Sequence, residues 1–129
     1  MGQVNKYTVA VTTAADGSAA VYTPALTGRL VNVIYTKPAA SGLDTADFVI
    51  TGESTGLGIW TETGVDASKT ISPTQDLHNQ VGGARLYAAD GEEVSGPIYL
   101  AGERVKIAIT GGGNATSGSF IFIVVGPNG

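Results

Sequence analysis

Apolar and polar residues alternate along much of this chain, and short glycine-rich segments interrupt the alternation at close intervals. Within residues 102–110, for example, Val105, Ile107 and Ile109 share one face of the extended chain. A period of two residues is typical of a β-strand with one buried side. No window of about 11 residues shows the 3.6-residue period of an amphipathic helix. The pattern therefore predicts an all-β protein.

Turn signals divide the chain into short predicted strands. The pair Asp16-Gly17 marks the first turn, because Asp-Gly favours positive φ. Residues 28–36 and 119–126 are apolar on both faces, so we expect both strands to be covered on two sides and residues 28–36 to be central in a sheet. The predicted strands are residues 6–12, 19–22, 28–36, 46–52, 57–63, 84–88, 94–100, 102–110 and 119–126.

Glycine-containing connections predict three hairpins. They join residues 46–52 to 57–63, residues 84–88 to 94–100 and, across a glycine-rich loop, residues 102–110 to 119–126. Residues 66–83 contain Pro73 and mostly polar side chains, so we interpret them as a long loop with at most one helical turn near residues 72–78.

About eight antiparallel strands with one long excursion predict a jelly-roll or Greek-key β-sandwich. A length of 129 residues is that of a single domain, residues 1–129. An immunoglobulin-like sandwich is the alternative, although the chain lacks the cysteine pair of that fold. The predicted core consists of the inward-facing apolar side chains Val9, Val11, Val33, Tyr35, Phe48, Ile50, Val105, Ile107, Ile109, Phe120 and Phe122.

The composition argues against several classes of partner. Charged residues make up 14% of the chain, and its 7 Lys and Arg residues are scattered singly, so we expect no nucleic-acid binding. No apolar run approaches the ~18 residues of a membrane span, and residues 1–7 show no signal-peptide pattern. The chain has no cysteine, which excludes disulfides and thiolate chemistry and favours folding in a bacterial cytoplasm.

One short segment matches a catalytic motif. Residues 52–56 have the form G-x-S-x-G, with Ser54 in the position of a nucleophile and His78 as the only histidine. The motif requires a helix after the serine, whereas residues 57–63 read as a strand. We therefore interpret the segment as a hairpin turn and expect no catalytic residues, no cofactor and no metal.

The single tryptophan separates two further hypotheses. Trp60 is out of phase with Leu57 and Ile59, which would place it on an outer face. We interpret Trp60 as an interface anchor or as a residue packed at the edge of the core. It would be a sugar-stacking residue if it were exposed with a second aromatic beside it. A carbohydrate-binding β-sandwich module is thus an alternative function.

Three segments carry a family resemblance. They are residues 42–56 (GLDTADFVITGESTG), residues 96–107 (GPIYLAGERVKI) and residues 118–120 (GSF). Together they resemble small virion structural proteins of tailed bacteriophages, most closely the cement or decoration proteins on the outside of the head. The resemblance implies a non-enzymatic protein that binds the major capsid protein and is located on the capsid surface. It also implies a homo-oligomer, either a dimer or a trimer. A tail or fibre module shares the same β-strand pattern and is a further alternative.

Two segments are expected to contact a capsid subunit or another copy of the chain. The first is an extended N-terminal arm, residues 1–6, because unpaired backbone groups can add to a sheet edge. The second is the predicted loop of residues 66–83, which is long enough to reach a partner. The tentative partner-binding residues are Gln3, Val4, Asn5, Lys6, Trp60, Gln75, Leu77 and His78.

Overall fold

The computed structural model describes residues 3–39, 42–43, 45–78, 80–84 and 95–126. These ranges contain ten strands and no helix, so the all-β prediction is confirmed. The strands are β1 (Val4–Thr12), β2 (Ala19–Tyr22), β3 (Leu26–Thr36), β4 (Ala46–Gly52), β5 (Gly58–Val65), β6 (Lys69–Ile71), β7 (Thr74–Asp76), β8 (Ser95–Glu103), β9 (Val105–Thr110) and β10 (Ser117–Val125).

The strands form two antiparallel sheets. The larger sheet has the order β1-β10-β3-β8-β7, with β6 also paired to β3, and the smaller sheet has the order β2-β9-β4-β5. Strand β1 pairs with β10, β2 with β9, β3 with β8 and β4 with β5. The chain therefore forms one long antiparallel ribbon with the β4–β5 hairpin at its tip, rolled so that successive strand pairs alternate between sheets. This is the jelly-roll arrangement, one of the two topologies that the sequence predicts, with the short strands β6 and β7 added to the eight expected.

Aromatic side chains fill the space between the sheets. Phe48 of the smaller sheet lies 5.1 Å from Phe120 of the larger one, measured between ring centroids. Tyr35 and Trp60 contact Phe48 edge-on at 5.0 and 5.2 Å, a favoured geometry for aromatic pairs. Of the predicted core residues, all are buried except Val9, which is partly buried and packs against the core.

The predicted hairpin between residues 102–110 and 119–126 is wrong. Strand β9 pairs with β2 and β4, whereas β10 pairs with β1 and β3 in the other sheet. The glycine-rich loop is a corner between the sheets, held by Thr13. The Thr13 hydroxyl donates to the carbonyl of Gly113 at 2.6 Å and accepts from the amide of Thr116 at 2.8 Å. Sequence pattern locates strands but does not assign them to sheets, which explains the error.

The prediction of a long loop at residues 66–83 is also wrong, because this segment contains β6 and β7. Strand β6 takes the edge of β3 opposite Val33–Tyr35, and β7 pairs with the start of β8. Each has three residues, and Pro73 separates them because proline cannot donate to a ladder. Strand β7 also occupies the place of the predicted helical turn.

Two other predictions concern segments at the edges of the described structure. The predicted strand at residues 84–88 lies outside the described residues except for Ala84, so its hairpin is untested. The predicted arm includes residues 4–6, which belong to β1 and pair with β10. The N-terminal segment is therefore an edge strand of the sandwich from Val4 onward rather than a free arm.

We expect Phe48→Ala to lower the free energy of unfolding by about 4 kcal/mol, because it leaves a cavity where both sheets meet. Val49→Ala is the matched control. Val49 is the next residue of β4 but is 45% exposed, and its truncation should cost about 1 kcal/mol or less. Urea unfolding followed by circular dichroism measures both. Equal losses in the two variants would contradict the assignment of Phe48 to the central contact.

Candidate interaction surface

A buried carboxylate holds the tip of the rolled ribbon. Glu103, which is 5% exposed, ends β8 and faces the turn between β4 and β5. Its Oε1 accepts the amide of Thr55 at 2.7 Å, the amide of Ser54 at 2.9 Å and the Ser54 hydroxyl at 2.9 Å. A side chain at Gly52 would collide with this carboxylate, because a Cβ there would lie 2.6 Å from Oε1. A larger residue at position 52 would therefore displace the carboxylate from its hydrogen bonds with the turn.

These hydrogen bonds also set the charge of the carboxyl group. The Thr55 amide makes the largest contribution and, with the Ser54 groups, lowers the pKa of Glu103 below its ordinary value, although burial acts in the opposite direction. A carboxylate with a lowered pKa is a weak base. It therefore anchors the Ser54 hydroxyl in the turn and is poorly suited to activate it as a nucleophile.

In the described part of the chain, the Ser54 hydroxyl donates to Glu103 and not to His78. His78 is exposed, follows β7 at the edge of the larger sheet and forms an isolated bridge with Ala84. Ser54 lies on a turn of the smaller sheet. Among the described residues no three His, Cys, Asp or Glu side chains are grouped to hold a metal. The same ranges contain no helix that is long and apolar enough to cross a membrane.

Trp60 does not lie on an outer face, so the predictions of an exposed anchor or a sugar-stacking residue are wrong, whereas the predicted packing against the core agrees with its burial. The side chain is 6% exposed and packs edge-on against Phe48. Its indole N–H donates to Glu62 Oε1 at 3.0 Å. A bulge between Ile50 and Thr51 in the β4–β5 register shifts the alternation. This explains why simple phasing placed Trp60 outward.

The outer face of the larger sheet carries an apolar and aromatic row. Val125 of β10 lies opposite Val4 on one side and Arg29 on the other, and Arg29 lies opposite Tyr99 of β8. All four side chains point away from the core, because each neighbours an inward-facing residue in its own strand. Val4 and Tyr99, at the two ends, are each 66% exposed. The outer-face row consists of Val4, Val125, Arg29 and Tyr99.

Branched apolar residues continue this face along β10 and β3. Ile121, Ile123 and Val125 alternate with the buried residues of β10 and are half-buried, as is Ile34 opposite Ile121. The expectation that β10 is covered on both sides therefore holds only for its inner face. In the described ranges no further layer covers the outer side.

A shallow groove adjoins the outer-face row. Strands β8 and β6 pair with successive parts of the same edge of β3. The first residues of β8 pair with β7 and not with β3. The opening between them has a volume of about 390 Å³. Its walls are Arg29, Leu30, Val31, Ser72, Pro73, Thr74, Gly96 and Pro97. The lining surface is more apolar than polar, so the groove is suited to an apolar side chain more than to a charged ligand.

Apart from Trp60, which lies in β5 of the smaller sheet, the tentative partner-binding residues fall in two places on the larger sheet. Gln3, Val4, Asn5 and Lys6 lie at or in its first edge strand, β1. Gln75, Leu77 and His78 lie in or after β7 at the opposite edge, where Gln75 donates to the carbonyl of Pro97 at 3.0 Å and Leu77 packs against Gly96. Sequence reasoning missed Arg29 and Tyr99. The only signal for them was the exposed phase of each within its strand.

Comparison with known proteins adds no family assignment. No family model, no curated protein and no solved structure matches this chain.

We expect Glu103→Gln to lower the free energy of unfolding by about 2 kcal/mol at neutral pH, because several donors lose a charged acceptor. The pKa of Glu103 is depressed in the folded state, so its contribution is complete above the ordinary value of 4.5 and is lost as the pH falls through the folded pKa. The difference in stability between the natural protein and the variant should therefore shrink as the pH falls below about 4.5.

Glu53→Gln is the matched control, since Glu53 lies in the same β4–β5 turn but is exposed and accepts from Arg104 at the surface. Denaturant unfolding between pH 3 and pH 7 measures all three proteins. Surface ion pairs contribute little, so this variant should change stability less than Glu103→Gln. A pH-independent effect of Glu103→Gln would show that the ionised carboxylate is not what holds the turn.

Proposed function

We propose that this protein is a non-enzymatic structural component of a bacteriophage virion that binds the outer surface of the capsid. It acts as a decoration or cement protein, and its partner is the major capsid protein. The supporting observation is the outer face of the larger sheet, where apolar and aromatic side chains extend from β1 to β8. This face includes Val4 and Tyr99, which are exposed large apolar residues of the kind that suit a protein partner.

The chemistry of that face favours protein over other ligands. Tyrosine and arginine are enriched among the residues that dominate protein interfaces, and Tyr99 and Arg29 lie side by side in the outer-face row. Half-buried Ile121 and Ile123 provide apolar area that a partner would remove from water. Long-range steering is weak because the formal net charge is only −4. Affinity would come from contact at short range.

The construction of the sandwich is compatible with a role as a clamp. A cement protein must keep its shape while it holds neighbouring capsid subunits. Here the Glu103 carboxylate fixes one end of the ribbon and Thr13 fixes a corner between the sheets. A ligand that binds the assembled shell and not free subunits stabilises the shell by mass action.

The alternatives receive less support. The carbohydrate-binding hypothesis depended on an exposed Trp60, which is instead buried. A tail or fibre module would have the same sandwich and would bind a different part of the virion. The experiment on heads and tails below separates that alternative from the capsid.

We expect Tyr99→Ala to weaken binding to phage heads that lack decoration by at least tenfold, because interface anchors of this type contribute about 2 kcal/mol or more. Arg29→Ala should have a similar effect. Tyr22→Ala is the matched control, since Tyr22 is also an exposed tyrosine, 39% accessible, but lies in the smaller sheet. Co-sedimentation of each variant with heads from the phage that encodes the chain measures binding.

The natural protein and the Tyr22→Ala variant should co-sediment with heads equally well. Binding to isolated tails and not to heads would support the tail module. If neither Tyr99→Ala nor Arg29→Ala weakens binding to heads, the outer face of the larger sheet is not the docking surface. Retention on a glycan array without binding to any virion part would favour the carbohydrate-binding module.

A further inference from the structure

Strand β1 exposes an ordered row of unpaired backbone groups. The amide of Gly126 donates to the carbonyl of Gln3 at 2.7 Å, and the amide of Thr13 donates to the carbonyl of Thr116 at 2.8 Å. Both pairs continue the β1–β10 register. Directly opposite residues in an antiparallel ladder alternate between hydrogen-bonded and non-hydrogen-bonded pairs. The odd-numbered residues of β1 therefore bond to β10, and the even-numbered ones direct their N–H and C=O groups away from the sheet.

The other sheet edges are less suitable for pairing. Strand β7 has three residues and β2 has four. Strand β5 is longer, but its register against β4 shifts twice, and bulges protect an edge from pairing. Strand β1 has nine residues, pairs with β10 without a shift and contains no proline. Its single charge, on Lys6, lies on the exposed outer face. Within the described residues, β1 is the longest regular edge, and no strand pairs with its free side.

The sequence of β1 is complementary to a second, antiparallel copy of itself when both are centred on Thr8. If two copies of β1 lie antiparallel around a two-fold axis at Thr8, Lys6 of each copy faces Ala10 of the other. On the inner face, Tyr7 then lies opposite Val9, an aromatic and β-branched pair that stabilises sheets. Both are partly buried in the single chain. Moving the axis to Lys6 would place two ammonium groups directly opposite each other, which is unfavourable.

We propose that two copies of this chain pair through β1, antiparallel and centred on Thr8, to form one continuous sheet across a two-fold dimer. The even-numbered residues supply the new hydrogen bonds, and the contact is about 30 Å long. The dimer does not depend on the identity of the larger partner. It places two copies of the outer face side by side, so that a dimer would present a doubled docking surface.

Thr8→Pro tests the dimer, because it removes the outward N–H at the axis in both copies while leaving the bonds to β10 intact. Ala20→Pro is the matched control. The amide of Thr23 bonds to Val105, its partner in the β2–β9 register. By the same alternation the N–H of Ala20 also points outward, but at the edge of the smaller sheet. Analytical ultracentrifugation from about 1 to 100 μM should show a dimer for the natural protein and for Ala20→Pro. The dissociation constant of Thr8→Pro should be at least tenfold larger.

A cross-link provides a second test, which does not require β1 to accommodate a proline. The chain has no cysteine, and hydrogen-bonded antiparallel pairs have a Cα separation of about 5.5 Å, within the range of a disulfide. Thr8→Cys should form a covalent dimer under mild oxidation, whereas Ala20→Cys should not. A natural protein that is monomeric at about 100 μM would overturn the proposal, and so would a dimer that Thr8→Pro does not weaken. Equal cross-linking of the two cysteine variants would also overturn it. Tyr99→Ala should leave the dimer intact, so failure of capsid docking is distinguishable from failure of the dimer.

Discussion

The contact between Phe48 and Phe120 is the interaction on which the rest of the structure depends. It joins the two sheets at their centre, with Tyr35 and Trp60 packed around it. A jelly roll has few local contacts between its sheets, so the free energy of burial between the inner faces must offset the entropy lost when distant strands come together. Large aromatic side chains remove more apolar area per residue than aliphatic ones, and their edge-on geometry adds to the gain.

Hydrogen bonds determine the positions of the turns and corners, which the apolar core does not specify. Burial between sheets is non-directional, whereas the hydrogen bonds of Glu103 and Thr13 have defined geometry. Glu103 ties the end of β8 to the β4–β5 turn, and Thr13 ties the β1–β2 turn to the corner before β10. Both link segments far apart in sequence at places where the chain changes direction. Neither contact involves the outer face of the larger sheet or the free edge of β1, so both surfaces are accessible to partners.

The successes and failures of sequence reasoning follow from the range of the interactions involved. Alternation is local, and it located β2 and β4 with their observed bounds and identified 10 of the 20 buried apolar residues of the core. Pairing between sheets is not local, so the β9–β10 corner was mistaken for a hairpin. The short strands β6 and β7 carry too few residues for a recognisable period. Trp60 was misplaced because a bulge shifts the phase, and a bulge is decided by the register between strands. Of the candidate surface, Val4 was predicted as a contact residue, whereas Arg29 and Tyr99 were not.

By itself the sequence determined the fold class, the approximate positions of eight of the ten described strands and the inward-facing side of most of them, because all three depend on the two-residue period of a single extended chain. Tertiary structure alone decided which strands share a sheet, which apolar faces stay uncovered and which edge keeps unpaired backbone groups. The outer side of β10 illustrates the difference. Its isoleucines read as buried in the sequence, yet in the described residues the smaller sheet covers only one of the two faces of β10. Whether a residue is covered depends on a second surface, and no single strand contains the information about that surface.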